Sequence, residues 1–392
     1  MSFSPQLSTS PATFGGCPHR CYVEVSLPQI RENFLSIAEA LKPKTEIMPV
    51  VKANAYGHGA IRVAQTLTNA GARWLAVSNT SEGVALRRAG IPEEVRIIVM
   101  AGILPFEWQS VVECHLTPVL HQMSDLATVE EISASTGTPL RFHIKVDTGL
   151  SRLGLRESIG EIARALLSLK HSQFEGVMTH LASAANVTSP QTDEQLKAFD
   201  RAVSGLREAG LPPFMRHVDA TNSLHLVEHD TEVHLIRPGL AVYGYVTEPS
   251  APVTRGKLQV KPALSWKARI ILVKDLPAGV SVGYGATYTT TKPTTIAVLA
   301  VGYSDGYPHQ QSNKGAVLVN GHQAPIVGAV SMDVTTIDVS GIPGVSAGGQ
   351  VTLLGSEGDL SLDATQVGRN SGTIPYSILC NIHERVPRIY VD

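Results

Sequence analysis

The sequence predicts an α/β protein: an N-terminal (β/α)8 TIM barrel followed by a C-terminal, mostly antiparallel β domain. Three observations carry this. Short apolar runs alternate with helix-period runs through the first two thirds of the 392 residues. Eight such strands over about 230 residues is the count that closes a barrel. Beyond residue 252 the helical periodicity stops, and runs such as TTIAVLAVGY and QVTLLG take over.

The strands are read at 47–52, 74–79, 96–100, 116–120, 141–146, 175–180, 215–220 and 232–238. Between several of them lie amphipathic segments such as SDLATVEEISAS, ESIGEIARALLSL and TDEQLKAFDRAVSGLREAG. An earlier one, SLPQIRENFLSIAEAL, opens with Ser26 and has Gln29 three places on, a capping-box pattern, with Pro28 in its first turn. Several of the helical runs end near a glycine: Gly71, Gly90, Gly137 and Gly210. A doubly wound open sheet is the competing architecture, but the first strand-to-helix turn lacks the G-x-G-x-x-G fingerprint. The barrel is expected over 22–252 and the β domain over 253–392, with 1–21 as an extension. In the second domain, Asn320-Gly321 between two valine-bearing runs predicts a hairpin.

Composition narrows the function. Thirty-two Lys+Arg against 34 Asp+Glu leaves a formal charge of -2, so no global basic excess points to nucleic acid or to an anionic membrane. No apolar run approaches the roughly 20 residues of a spanning helix. The first sixteen residues have neither a basic nor a continuous apolar segment, so no signal peptide is expected. Cys17, Cys21, Cys114 and Cys380 do not form paired metal knuckles, and reduced thiols in a cytoplasmic protein are expected. No metal site is expected either, because the 14 histidines are scattered and no H-x-H pair sits at a strand end.

In a barrel, functional groups sit beyond the C-terminal ends of the strands. Strand 1 exits into VKANAYGHG, which carries Lys52 and Tyr56; strand 5 exits into KVDTGLSR, with Lys145, Asp147 and Arg152. Strand 6 ends at Thr179-His180, strand 7 at DATNS with Ser223, and strand 8 at Arg237-Pro238-Gly239. An amine desolvated by apolar walls becomes a nucleophile suited to a Schiff base. Tyr56, Ser223 and the backbone N–H groups of Gly239 and Leu240 suit a phosphate; Arg152 and Arg237 suit a carboxylate or the tuning of a ring. Together these groups suggest a pyridoxal phosphate site. Taken singly, each has a plainer reading: Lys52 as a snorkelling surface lysine, His180 as a satisfied polar residue, Asp147 as a helix cap, Gly57 and Gly59 as turn chemistry. Five strand exits that each present a suitable group favour the site.

These motifs resemble those of the alanine racemase family, fold-type III pyridoxal phosphate enzymes, from about residue 23 to the end of the chain. VVKANAYGHG at 50–59 is similar to the family's cofactor-lysine motif. RPG at 237–239, GYGATY at 283–288, SMD at 331–333 and IPY at 374–376 follow in the family's order. The resemblance implies a homodimer that interconverts L- and D-alanine by two bases and supplies D-alanine for peptidoglycan. Lys52 would hold the cofactor and act as base on the D side; Tyr284, from the β domain of the other subunit, would act on the L side. Arg237 would face the pyridine nitrogen, leaving it unprotonated and suppressing transamination, and His180 would support Arg237. The phosphate would lie against Tyr56, Ser223, Gly239, Leu240 and Tyr376. The substrate carboxylate would meet Arg152 and the backbone at Met332, again from the partner, with Asp333 beside it. In relatives the lysine equivalent to Lys145 can be carbamylated, making a negative partner for Arg152, and this sequence keeps that lysine at the same spacing. Leu181 and Ala185 stand where the family often has an aromatic residue and an acid, and His309 where an arginine is common near the entrance.

Two other enzyme readings are a racemase of broader specificity and an amino-acid decarboxylase of the same fold type. The decarboxylases have a phosphate loop of consecutive glycines that this chain lacks. A pyridoxal phosphate carrier without activity would need only the barrel, and leaves GYGATY and SMD without a role.

Overall fold

The computed structural model describes residues 13–14, 17–41, 45–186, 188–221, 223, 235–246 and 258–391. The chain divides into two units, Pro28–Lys261 and Met1–Leu27 with Pro262–Asp392. The boundary expected at 252/253 lies outside the described residues.

The first unit is a parallel barrel. Its strands are β1 (Glu46–Ile47), β2 (Trp74–Val77), β3 (Arg96–Val99), β4 (Leu116–Leu120), β5 (Arg141–Lys145), β6 (Gln173–Met178), β7 (Met215–His217) and β8 (Leu235–Ile236). Strands β2 to β7 pair in sequence order, and β8 pairs with β1. Single bridges complete the ring: Val50 to Ala76 at one seam, Ala220 to Arg237 at the other. Every residue of β2 and β4 is buried, as expected of parallel strands covered on both faces. The part of strand 8 expected at 232–234 lies outside the described residues, as does Asn222.

Helix α1 (Leu27–Glu39) precedes the first strand, and helices fill the crossovers: α2 (Ala60–Asn69), α3 (Thr80–Arg88), α4 (Trp108–Glu113), α5 (Met123–Thr136), α6 (Ile159–Ser168) and α7 (Pro190–Glu208). Ser158 caps α6 in a complete capping box with Glu161. Gly71, Gly90, Gly137 and Gly210, which close four of the helical runs, all take positive φ.

Inside the barrel, towards the N-terminal ends of the strands, lies a polar network that the apolar periodicity does not announce. Arg96 donates to both oxygens of Glu175 at 2.7 Å and to Thr117 at 2.7 Å. His143 Nε2 is 3.5 Å from the same carboxylate, and His143 Nδ1 meets His217 Nε2 at 2.8 Å. Burial raises the Glu175 pKa, but the contacts from His143 and Arg96 outweigh it and bring the group down to about 2.

The second unit is built on a mostly antiparallel sheet. Its strands include β9 (Leu264–Leu276), β10 (Thr294–Leu299), β11 (Ala316–Val319), β12 (His322–Pro325), β13 (Thr335–Asp338) and β14 (Gln350–Glu357), in the order β12-β11-β14-β9-β10-β13. The expected hairpin forms: Val319 faces His322, and Asn320 and Gly321 take φ of 48° and 74°. Cys21–Ser26, of which the sequence assigned residues 22–26 to the start of the barrel, forms a strand that pairs with β9 and with Arg388–Val391. Cys21, Cys114 and Cys380 form no disulfide among the described residues, and Cys21 Sγ accepts the Trp266 indole N–H at 3.1 Å. Among the described residues no helix is long and apolar enough to cross a membrane.

Glu175→Gln removes the charge that pairs with Arg96 and is expected to cost about 2–3 kcal/mol at neutral pH. Because the folded pKa of Glu175 is depressed, its contribution is present above the unfolded value near 4.5 and is lost as pH falls towards 2. Urea unfolding of wild type and variant checks this, and the stability gap should close across that window.

Candidate active site

The site is built at the C-terminal ends of the barrel strands. Val51 donates its N–H to the Ala76 carbonyl at 2.8 Å, and Val50 donates to Pro238 at 3.0 Å, so the end of strand 1 is held from both neighbours. Lys52 follows directly. Ala53, Asn54, Ala55 and Tyr56 then take φ of 51°, 52°, 54° and 50°, a turn of left-handed helix made wholly of L-residues. Such a conformation costs roughly 1–2 kcal/mol per residue. Hydrogen bonds offset part of that: Ala55 N–H to Val51 O, Gly57 N–H to Ala53 O, Gly59 N–H to Asn54 O and Ala60 N–H to Asn54 Oδ1, at 2.8–3.1 Å. The left-handed winding carries Tyr56 and His58 inward, where both rings pack on Tyr243, at 4.9 and 4.6 Å between centroids. Tyr243 Oη in turn donates to the Val50 carbonyl at 2.9 Å.

Tyr56 closes on the loop after β8. A Cβ built on Gly239 would fall on the Tyr56 hydroxyl, so only glycine lets the ring approach. Gly239 and Ala241 donate their N–H groups to Thr221 Oγ1 at 2.9 and 3.3 Å, and Ser223 Oγ accepts the Ala220 N–H at 2.8 Å. Tyr56, Ser223, Gly239 and Leu240 are all buried here.

Arg237 is buried. Its Nη2 donates to the carbonyls of Thr179 (2.8 Å) and Val218 (2.9 Å), while Nη1 has no hydrogen-bond partner among the described residues. The guanidinium is therefore held by main chain, and no hydrogen bond from the His180 ring supports it. Burial lowers its pKa to about 10, against the charge of Asp219, so it remains a cation at neutral pH. His180 records the field of the site. Burial, then the charges of Arg237, Arg152, Lys145 and Lys52, push it down to about 3. These four cations, drawn from three strand exits, act on one imidazole, which stays neutral.

Lys145 is buried and donates to the Leu153 carbonyl at 2.6 Å. Burial, with Arg152 and Arg237 and against Asp147, brings it down to about 8. Asp147 caps no helix; it accepts the N–H groups of Gly149 and Ser151 at 3.1 and 3.0 Å and shapes the loop that carries Arg152.

The remaining expected residues belong to the second unit. Tyr284 sits at the tip of a small hairpin, Ser281–Val282 against Tyr288–Thr289, between Gly283 and Gly285, and is 78% exposed. The Met332 carbonyl accepts the backbone N–H and the hydroxyl of Ser304, both at 3.0 Å. Asp333 is tied through Arg385 to Asp305, both contacts at 2.8 Å. Tyr376 lies in the short helix Pro375–Cys380, where burial raises its pKa. Thr221, Tyr243, Asp219 and Arg385 were not singled out from the sequence. Thr221 and Asp219 stand in the strand 7 exit, where their position was the available signal.

A barrel whose strand ends gather a lysine, a neutral histidine, a buried arginine with one open donor end and a glycine-lined cradle is an anion- and cofactor-binding enzyme scaffold. Comparison with known proteins gives the particular family. The model for the alanine racemase N-terminal domain matches residues 25–247, and that for the C-terminal domain matches 263–390. The alanine racemase of Symbiobacterium thermophilum is 40% identical over 371 residues, covering 94% of this chain and 96% of the relative. That of Halothermothrix orenii is 38% identical over 372 residues, covering 94% and 96%. Among solved structures, the alanine racemase of a D-cycloserine-producing Streptomyces lavendulae superposes with a TM-score of 0.88 at 32% identity, covering 96% of this chain and 98% of that one. The Bartonella henselae enzyme with covalently bound pyridoxal phosphate gives 0.85 at 28%, covering 95% and 100%. The chain belongs to the alanine racemase family.

Gly239→Ala is expected to displace Tyr56 and destabilise the barrel by about 1–3 kcal/mol. Adding Tyr56→Phe, which removes the clashing hydroxyl, should recover part of the loss; a thermal or urea double-mutant cycle measures the coupling.

Proposed function

We propose that the protein is an alanine racemase that interconverts L- and D-alanine with pyridoxal 5'-phosphate at the C-terminal end of the barrel. The observation that carries this is the placement of Lys52, Arg237 and the Tyr56–Gly239 cradle on adjoining strand ends, with Arg237 Nη1 open. Those residues fit the cofactor: a lysine for its aldehyde, a buried donor for its ring nitrogen, and a glycine cradle with Tyr56, Ser223 and Leu240 for its phosphate. A phosphate and a carboxylate would also balance the positive field that His180 records. Once bound, the cofactor supplies an electron sink that makes the substrate's Cα proton acidic.

The residues then divide the proton work. Inversion needs one base to take the Cα proton on one face and a second group to return one on the other. Lys52 serves the face nearest strand 1, the D side. Tyr284 serves the L side, acting from the partner subunit of a homodimer. Its exposure on a glycine-flanked hairpin supports that assignment, as does the exposure of Met332 and Ile374 in the same unit. Arg152 and the backbone of Met332 of the partner subunit would hold the substrate carboxylate, with Asp333 beside that Met332 contact, and Tyr376 would complete the phosphate site. Arg237 would face the cofactor's ring nitrogen and, because it does not give up its own proton, would leave that nitrogen unprotonated, favouring racemisation over transamination. The role drawn for the enzyme is supply of D-alanine for peptidoglycan in the cytoplasm. A solved relative from Bacillus anthracis is described with bound L-Ala-P, at 33% identity and a TM-score of 0.85, in keeping with alanine as substrate.

The direct test is a coupled assay for D-alanine formed from L-alanine, run beside serine, lysine and arginine; equal turnover of all four would overturn a preference for alanine. Lys52→Ala and Tyr284→Phe should each lose at least about a hundredfold in kcat, as expected for removal of an acid–base group. Mixing the two inactive variants under conditions of subunit exchange should restore activity in mixed dimers, each with one intact site. No recovery would count against a shared site.

Lys145 near a pKa of about 8 has a substantial neutral fraction in mildly alkaline solution, the form that adds carbon dioxide to give a carbamate. Uptake of isotope-labelled bicarbonate should therefore rise as pH climbs through 8 and fall on acidification. NMR of wild type against Lys145→Arg measures it, and an equal signal in the variant would remove Lys145 as the site.

A further inference from the structure

The left-handed turn after Lys52 is gripped from outside by one carboxylate. Glu82, in the first turn of α3, accepts the Ala53 N–H on Oε1 at 2.6 Å and the Ser78 N–H on Oε2 at 2.7 Å. Ser78 lies just beyond β2, whose Ala76 carbonyl takes the Val51 N–H at 2.8 Å. The peptide that joins Lys52 to Ala53 is thus tied to the end of β2 on both sides of the lysine. None of the hydrogen bonds made within the turn uses the Ala53 N–H.

We infer that Glu82 is a positioning residue for Lys52: by fixing the Lys52–Ala53 peptide at the start of the left-handed turn, it sets the direction in which the lysine leaves the backbone. The inference rests on the reading of Lys52 as the cofactor lysine. A carboxylate is the group the geometry calls for, because both contacts need acceptors. An amide in its place turns one oxygen into an N–H donor facing an N–H, and an aspartate is one methylene too short to reach both. The cap of α3 does not need this carboxylate, since Asn79 Oδ1 accepts the Glu82 N–H at 3.0 Å. Weakening the same helix end without touching Ala53 is therefore a matched control.

The experiment compares wild type, Glu82→Gln, Glu82→Asp and Asn79→Ala, each loaded with pyridoxal phosphate. It reads three things: the visible absorbance of the Lys52-linked cofactor across pH, KM and kcat for alanine, and urea stability. Glu82→Gln is expected to shift the pH midpoint of the absorbance by roughly half a unit and to lower kcat about fivefold, with KM within about twofold. Glu82→Asp should show the same shift, and stands in if the glutamine variant does not fold. Asn79→Ala should lose stability while keeping the wild-type midpoint and kcat. A wild-type midpoint and kcat in both Glu82 variants would overturn the inference, as would an equal shift in Asn79→Ala. Wild type whose absorbance survives Lys52→Ala would instead bring down the cofactor reading on which it rests.

Discussion

A guanidinium buried in the barrel governs much of the site. Arg237 has carbonyls from two neighbouring strand ends on one nitrogen and an open donor on the other. In a low-dielectric interior such a charge is tolerated only when its donors are met and counter-charge is near. Asp219 supplies some. Burial first, then Arg237 with Arg152, Lys145 and Lys52, holds the His180 pKa far below its ordinary range, and the same positive field favours anionic ligands.

The second organising feature is conformational. Four consecutive L-residues after Lys52 wind in the unfavourable hand, and the structure around them is arranged to hold them there: Glu82 on the first N–H, Asn54 on Ala60, Tyr243 under Tyr56 and His58. The outcome is compact. A lysine leaves the strand and, only four residues later, a tyrosine is turned against the glycine of the adjoining strand end. A right-handed turn of the same length would send that tyrosine elsewhere, so the strain is the means by which one short segment sets the places of both side chains.

The polar network at the other end of the barrel, Arg96–Glu175–His143–His217, has a different logic. The His217 carbonyl accepts the N–H of Thr179, beside the site, at 3.3 Å, and the charge of Arg237 is felt by both histidines. Burial keeps both imidazoles neutral, so that Arg237 does not face two more cations through the barrel core.

Much of this was legible in the sequence. The eight strands, the Asn320-Gly321 hairpin and the set of strand exits follow from periodicity and turn chemistry, which act over a few residues and so are written locally. Lys52, Arg237 and Gly239 stood out because chemistry-bearing groups at strand ends are placed there by the barrel's own geometry. What the sequence could not decide was anything settled by residues far apart. The left-handed hand of ANAY has no local signal, since alanine and tyrosine prefer the other hand. Nothing local marks Glu82, whose carboxylate reaches Ala53 only once α3 is packed on β2. Cys21–Ser26 reads as the approach to the barrel, but its open edges pair with β9 and Arg388–Val391 once the tertiary fold brings them within hydrogen-bonding reach. Local patterning thus determined the architecture and the list of candidate groups at the strand ends. Tertiary structure alone decided their charge states and backbone strain, because desolvation and long-range hydrogen bonds exist only after the chain has closed on itself.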